Sequence, residues 1–128
     1  MARDIFEQLV AQGIRAIPQK FLDKLSNVAI VVEDEPTQEQ LKKNHVRRGW
    51  TLFGLYEGVP QIARGSSYGW VLPDKITIFQ KPIEEAAHTP EEIKEIVKDT
   101  VWHEIAHHFG MNEGEVRTRE RTRKRSAR

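Results

Sequence analysis

The segment between residues 89 and 115 constrains the fold more than any other part of the chain, because most of it reads as one long, strongly marked helix. Thr89, Pro90 and Glu92 form a capping-box pattern with proline at the first helical position, so a helix is predicted to begin at residue 90. Gly110 is the expected stop, about twenty residues later. The end of this segment, HEIAHHFGMNEGE over residues 103–115, is rich in histidine and glutamate.

The faces of this helix change character along its length. Its first half has one apolar stripe opposite a side of charged residues. The stripe consists of Ile93, Ile96, Val97, Thr100 and Val101. In the second half, apolar residues also occupy the formerly charged side, namely Trp102, Ile105, Ala106 and Phe109. We therefore expect protein to enclose the C-terminal half, where His103, Glu104 and His107 lie on or next to the core stripe and need compensation for their burial.

A divalent cation would compensate these three side chains. His103 and His107 are at i and i+4, so their imidazoles point to the same side of the helix at metal-binding separation. Glu104 lies beside them, close enough to act on a metal-bound water instead of binding the metal. The chain has no cysteine, so nitrogen and oxygen must hold any metal. This ligand set suits zinc best, and other first-row ions also accept it.

The third metal ligand is expected just after the helix. Gly110 lets the chain leave the helix through a conformation that other residues resist, and Glu113, three positions on, can then return to the metal. Two alternatives stay open: Glu115 as the ligand, or a site with no third protein ligand. His108 points about 100° from His107, so we expect it to pack or to support the site.

These residues resemble a known signature. His103, Glu104, His107, Gly110 and Glu113 are similar to the HExxHxxGxx(H/D) pattern of zincin metallopeptidases. Together with the segments LPDKITIFQKPIEE and TVWHEIAHHFGM, they resemble the small bacterial zincin-like family called mini-zincins. The resemblance covers most of residues 5–116 and is weakest over 37–50. That family usually has aspartate at the position of Glu113, so the loop must adjust here to a longer carboxylate.

The resemblance implies a fold, a cofactor and an activity. The fold class is α+β: a minimal zincin-like fold in which a short mixed β-sheet packs against an N-terminal helix and a long C-terminal zinc-binding helix. One zinc per chain would be held by His103, His107 and Glu113, and Glu104 would be the general base of peptide-bond hydrolysis. The family is bacterial and intracellular. The substrate would be a peptide or an unfolded protein, lying along the edge of a strand at 52–56 or at 76–79.

A second hypothesis is a zinc-binding scaffold, catalytically weak or silent, whose basic C-terminal segment contacts nucleic acid or an acidic partner. Residues 117–128 carry six Arg and one Lys against one Glu, a charge of +6; the total of +1 leaves −5 for the rest of the chain. We predict one zincin-like metallopeptidase domain over 1–116, followed by a disordered basic tail over 117–128.

The remaining elements follow from periodicity and composition. We predict an amphipathic helix over 4–16, a strand from Asn27, a surface loop over 37–49 with room for one helical turn, and strands that begin at Thr51 and Lys75. No stretch is apolar over the length that a membrane span needs, and the N-terminus lacks the pattern of a signal peptide. A cytoplasmic protein with no membrane partner is therefore predicted.

Overall fold

The computed structural model of the chain describes residues 1–58, 73–109 and 122–124. Its α-helices are α1 (Arg3–Arg15), α2 (Gln19–Leu22), α3 (Gln38–Lys43), α4 (Gln80–Ala86) and α5 (Pro90–His108), and a 3₁₀ turn spans Asp23–Leu25. Its strands are β1 (Val28–Glu33), β2 (Trp50–Leu52), β3 (Gly54–Glu57), β4 (Asp74–Phe79) and β5 (Thr122–Lys124). None of the helices in the described residues is long and apolar enough to cross a membrane.

The central sheet has three strands in the order β1, β4, β3. β1 runs parallel to β4, with Val28 opposite Asp74, whereas β3 runs antiparallel to β4, with Gly54 opposite Ile78. A mixed sheet of this kind, combined with an N-terminal and a long C-terminal helix, confirms the predicted α+β class and is consistent with a minimal zincin-like fold.

The two long helices pack against each other and share one core with the sheet. Phe6 of α1, Val97 and Val101 of α5, and Ile76 and Ile78 of β4 are all fully buried in this core. Helices α1 and α5 approach so closely at Gly13 that a Cβ there would lie 2.7 Å from the carbonyl oxygen of Lys94. The absence of a side chain at Gly13 therefore permits this helix packing.

A second close approach joins α5 to the sheet. A Cβ added to Gly54 of β3 would lie 2.6 Å from Cγ2 of Thr100 in α5. Thr100 is itself buried, one turn before the histidine-rich end of the helix. Glycine at the start of β3 thus lets this strand run directly against the part of α5 that carries His103 and Glu104.

The strand predicted from Thr51 is divided by a bend at Phe53. Its second part, β3, belongs to the central sheet, whereas its first part, β2, pairs antiparallel with β5, with Trp50 opposite Lys124. β5 lies within residues 117–128, the segment predicted to be a disordered tail, of which the structure describes residues 122–124. An extended segment can pair with the backbone groups of a strand edge whatever its side chains, and the disorder of the remaining residues, outside the described ranges, stays a prediction. The domain boundary at residue 116 stays a prediction.

Local signals placed most of the other elements correctly. α1 and β1 lie within one residue of their predicted starts, and α5 begins at the predicted Pro90. The helical turn allowed for within the surface loop over 37–49 is present as α3, whose six residues begin after a capping box between Thr37 and Gln40. α2 and α4 were not predicted; α4 follows β4 without an intervening loop.

Candidate metal centre

Helix α5 presents the candidate site at its C-terminal end. The Thr89 hydroxyl accepts a hydrogen bond from the Glu92 N–H at 3.1 Å, which caps the helix as the sequence pattern predicts. The helix then continues for 19 residues to His108, and Phe109 is its C-terminal cap residue. The predicted stop at Gly110 lies outside the described residues.

The two candidate histidine ligands face each other. The rings of His103 and His107 are nearly parallel, with an interplanar angle of 6° and centroids 4.7 Å apart. His103 is only 4% exposed, whereas His107 is exposed to solvent. The pair therefore spans the boundary between the core and the surface, where a bound ion could be reached from solution.

The buried part of α5 ends at an earlier residue than the sequence predicted. Residues up to Ala106 are buried or half-buried in the last turns, as predicted, but His107 and His108 are exposed and Phe109 is 38% exposed. This difference matters for chemistry, because the exposed last turn leaves the histidine pair accessible from one side.

The carboxylate of Glu104 is held from the sheet. Glu104 is 3% exposed, and its Oε1 accepts a hydrogen bond from the backbone N–H of Tyr56 in β3 at 2.8 Å. The N–H of Phe79 donates to the carbonyl of Phe53, so by the alternation of antiparallel pairing the N–H of Tyr56 points away from β4. A main-chain group on the outer edge of β3 thus fixes the position of this buried carboxylate.

The side chain of Tyr56 is itself held in place, next to the hydrogen bond between its N–H and Glu104. Its hydroxyl donates a hydrogen bond to Oδ2 of Asp74 at 2.8 Å, and its ring stacks on His108 with centroids 3.7 Å apart and an interplanar angle of 17°. The ring of Phe109 completes this cluster, nearly perpendicular to that of Tyr56 with the two centroids 6.2 Å apart. Burial of the phenol, together with the hydrogen bond to Asp74 and the charge of that residue, raises the pKa of Tyr56 to about 12.

This cluster assigns Tyr56 a role that the sequence did not single out. A tyrosine near a metal helix could stabilise an oxyanion, but the Tyr56 hydroxyl is engaged with Asp74. Its backbone N–H is what contacts Glu104, and every residue except proline has that group, so no sequence signal could have pointed to it. His108 packs against Tyr56, which agrees with the packing or supporting role expected for it.

The strand order distinguishes between the two strands that were expected to border a substrate cleft. β4 lies between β1 and β3, so the stretch 76–79 has neighbours on both sides and cannot accept an added strand. β3 is at the edge of the central sheet among the described residues, and its outer side faces α5 through Tyr56. Of the two expectations, that at 76–79 is wrong. The stretch at 52–56 is compatible with the sheet only over its β3 part, because Leu52 already pairs with Thr122.

A comparison with protein-family models matches residues 25–122 to the zincin-like metallopeptidases. The chain belongs to this family. The match runs from the last residue of the 3₁₀ turn through β1 and α5 to the first residue of β5, and it indicates a zinc-dependent peptidase. No curated protein matched the sequence.

Two residues of this zincin-like metallopeptidase, His103 and His107, have the chemistry that zinc requires, because their facing imidazoles provide nitrogen donors. The buried Glu104 carboxylate lies on the intervening turn, next to the ion that the pair would hold. Within residues 1–58 and 73–109, no cluster of three or more metal-binding side chains is present. Glu113 and its alternative Glu115 both lie outside the described residues, so the third ligand stays a prediction.

Proposed function

We propose that this protein is a peptidase that holds one zinc ion through His103, His107 and Glu113 and uses Glu104 as its general base. The observation that carries the proposal is the pairing of two facing imidazoles with a buried, oriented carboxylate on the next residue. A salt-bridged surface glutamate would be solvated, but Glu104 is 3% exposed and accepts a hydrogen bond from a backbone N–H of β3.

The chemistry follows from the residues of the chain and the metal they would bind. When bound, zinc lowers the pKa of a coordinated water to about 7 and polarises the substrate carbonyl. Glu104 would take a proton from the attacking water as the new C–O bond forms, and then pass that proton to the amine as the C–N bond breaks. The Tyr56 N–H keeps Oε1 of Glu104 in place, so the base does not search between rotamers during turnover.

The edge of β3 supports a proposal for the substrate class. Gly54 and Tyr56 direct their main-chain groups to the outer edge of β3, next to α5. The Tyr56 N–H is engaged with Glu104, so a substrate would use the other main-chain groups of this edge. An extended peptide can add to such an edge through main-chain hydrogen bonds. We therefore propose peptides or unfolded segments as substrates, since a folded protein could not present an extended backbone there.

The decisive experiment separates catalysis from metal binding. The Glu104→Gln variant should retain the zinc content of the wild type, measured by elemental analysis, but lose hydrolysis of a quenched-fluorescent peptide library by roughly 100-fold or more. Glu95→Gln is the matched control, because Glu95 is an exposed glutamate of the same helix. It should retain both zinc and activity.

Two results would contradict the proposal. If Glu104→Gln cleaves peptides as fast as the wild type, Glu104 is not the base. If the zinc-loaded wild type cleaves no member of the library, the chain is a catalytically silent zinc-binding scaffold. Zinc content near zero in protein that has never met a chelator would exclude both functions.

A further inference from the structure

A cavity of about 580 Å³ lies away from the metal helix, between the end of β1, helix α3 and the start of β2. Its volume falls within the range of roughly 300–1000 Å³ that is typical of ligand pockets. Its charged and aromatic lining consists of Glu35, Lys42, Arg47, Arg48 and Trp50. We call this group of residues the α3–β2 groove.

The cations of the α3–β2 groove are not neutralised by the neighbouring described residues. Lys42, Arg47 and Arg48 are all exposed, and none of them makes a salt bridge within the part of the chain that the structure describes. The acidic lining residue, Glu35, has a cation of its own, because Nζ of Lys81 lies 3.8 Å from its Oε2. The groove therefore presents an excess of positive charge.

An aromatic ring accompanies these charges. Trp50 is half-buried, and the guanidinium carbon of Arg47 lies 6.0 Å from the centroid of its ring. A planar guanidinium beside an indole forms a surface of the kind on which nucleic-acid bases stack. An acidic peptide would use the cations but would have no use for this flat surface.

The β2–β5 pairing brings the basic C-terminal segment to the same place. In the register of this pair, Lys124 is opposite Trp50 and Arg123 is opposite Thr51. Two more cationic residues thus join the edge of β2 at the strand that supplies Trp50. The total charge of the chain is only +1, so this concentration of basic residues is local and not a property of the whole surface.

We propose that the α3–β2 groove, extended by β5, binds single-stranded nucleic acid. Lys42, Arg47 and Arg48 contact successive phosphates, and a base stacks on the indole of Trp50. The proposal is independent of the candidate metal site, because none of the groove residues belongs to α5, which carries His103, Glu104 and His107.

The test measures binding of full-length protein to labelled single strands of about ten nucleotides, by fluorescence anisotropy over roughly 50–200 mM salt. The double variant Arg47→Gln/Arg48→Gln should bind about tenfold more weakly, and the slope of log K against log salt should fall by about 0.7 for each lost phosphate contact. Arg123→Gln/Lys124→Gln should also weaken binding and lower the slope.

The matched control is Arg15→Gln/Lys24→Gln, which removes the same charge from two exposed positions. Arg15 and Lys24 come before β1 in the chain, and the groove begins after it. The six residues of β1 span about 20 Å, so the strand places the control positions and the groove at opposite ends. The control should bind nearly as tightly as the wild type. Trp50→Phe keeps a stacking ring and should bind more tightly than Trp50→Leu.

Three outcomes would overturn the proposal. One is an absence of binding to single strands at the lowest salt concentration. Another is an equal loss of affinity in the groove variant and in the Arg15/Lys24 control, which would show a charge effect without a site. The third is equal or tighter binding of a polyglutamate of matched charge, which would indicate an acidic protein partner instead.

Discussion

Gly54 of β3 lies directly against Thr100 of α5, and a Cβ at Gly54 would come within 2.6 Å of the Thr100 Cγ2. This contact sets the distance between β3 and α5. Two residues further along β3, the Tyr56 N–H reaches Glu104, so the hydrogen bond to the proposed base depends on how closely the strand approaches.

The first prediction concerns this close approach. Gly54→Ala should lower the free energy of unfolding by about 1–3 kcal/mol, because the new methyl group overpacks the contact. Thr100→Ser removes the Cγ2 that the methyl group meets, so the double variant should recover a substantial part of the loss. Urea unfolding of the four proteins measures this coupling. Strictly additive effects of the two substitutions would mean that a clash with Thr100 is not the cause of the stability lost in Gly54→Ala.

The second prediction separates the two histidines by their burial. With zinc at about 100 times its Kd, the wild type should gain about 2.7 kcal/mol of stability over the chelated protein. His103→Ala and His107→Ala should both lose this gain. In the absence of metal, His103→Ala should also be less stable than the wild type, because His103 is buried, whereas His107→Ala should differ little.

His108→Ala is the control for these variants. It removes the stacking partner of Tyr56 but no proposed ligand, so the thermal stabilisation by zinc should persist. If His108→Ala loses the response to zinc and His107→Ala retains it, the ligand assignment is wrong.

The third prediction concerns the protonation of Tyr56. The chain has two tyrosines, so a Tyr68→Phe variant leaves Tyr56 as the one phenol that absorbs. Phenolate absorbance should then show ionisation near a pKa of about 12 and not at the ordinary 10.0. The folded state holds the phenol proton of Tyr56 more tightly than the unfolded state does. The contribution of this hydroxyl to the free energy of unfolding is therefore complete below pH 10 and is lost as the pH rises toward 12. We expect it to be roughly 1 kcal/mol, because solvent reaches part of the ring.

The Tyr56→Phe variant isolates that contribution. It keeps the ring against His108 but cannot ionise, so the difference in stability between the wild type and this variant should shrink between pH 10 and pH 12. A difference that stays constant over this range would show that the hydroxyl has no folded-state preference for its proton.

The fourth prediction decides the third ligand. Glu113→Gln should weaken zinc binding by more than the roughly 10- to 100-fold loss that follows removal of a supporting group around a metal. Glu115→Gln, which changes the same type of residue two positions away, should leave the affinity almost unchanged. Competition with a chromogenic chelator gives both values. Reversed results would assign Glu115, and two small effects would mean that two histidines alone provide the protein ligands.

The sequence predicted the elements whose signals are local. The cap at Thr89 and the proline that follows it determine where α5 begins, and a run of β-branched residues marks β1. The facing of His103 and His107 is also local, because it follows from the helical repeat. These parts of the fold and of the candidate site required no knowledge of distant contacts.

Long-range pairing explains what the sequence could not supply. The hydrogen bond from Tyr56 to Glu104 joins residues 48 positions apart through a main-chain donor. Strand order is equally non-local, so the sequence could not tell that β4 is central and β3 is at the edge. The exposure of His107 depends on where neighbouring elements end, and helical periodicity gives only the side on which a residue lies.

The donor that holds Glu104 belongs to the backbone, and this has an evolutionary consequence. Every amino acid except proline can provide an N–H at position 56, so the proposed base keeps its partner through almost any single substitution there. The tyrosine side chain can therefore change, altering the surface beside the metal helix, while the group that orients Glu104 is inherited unchanged.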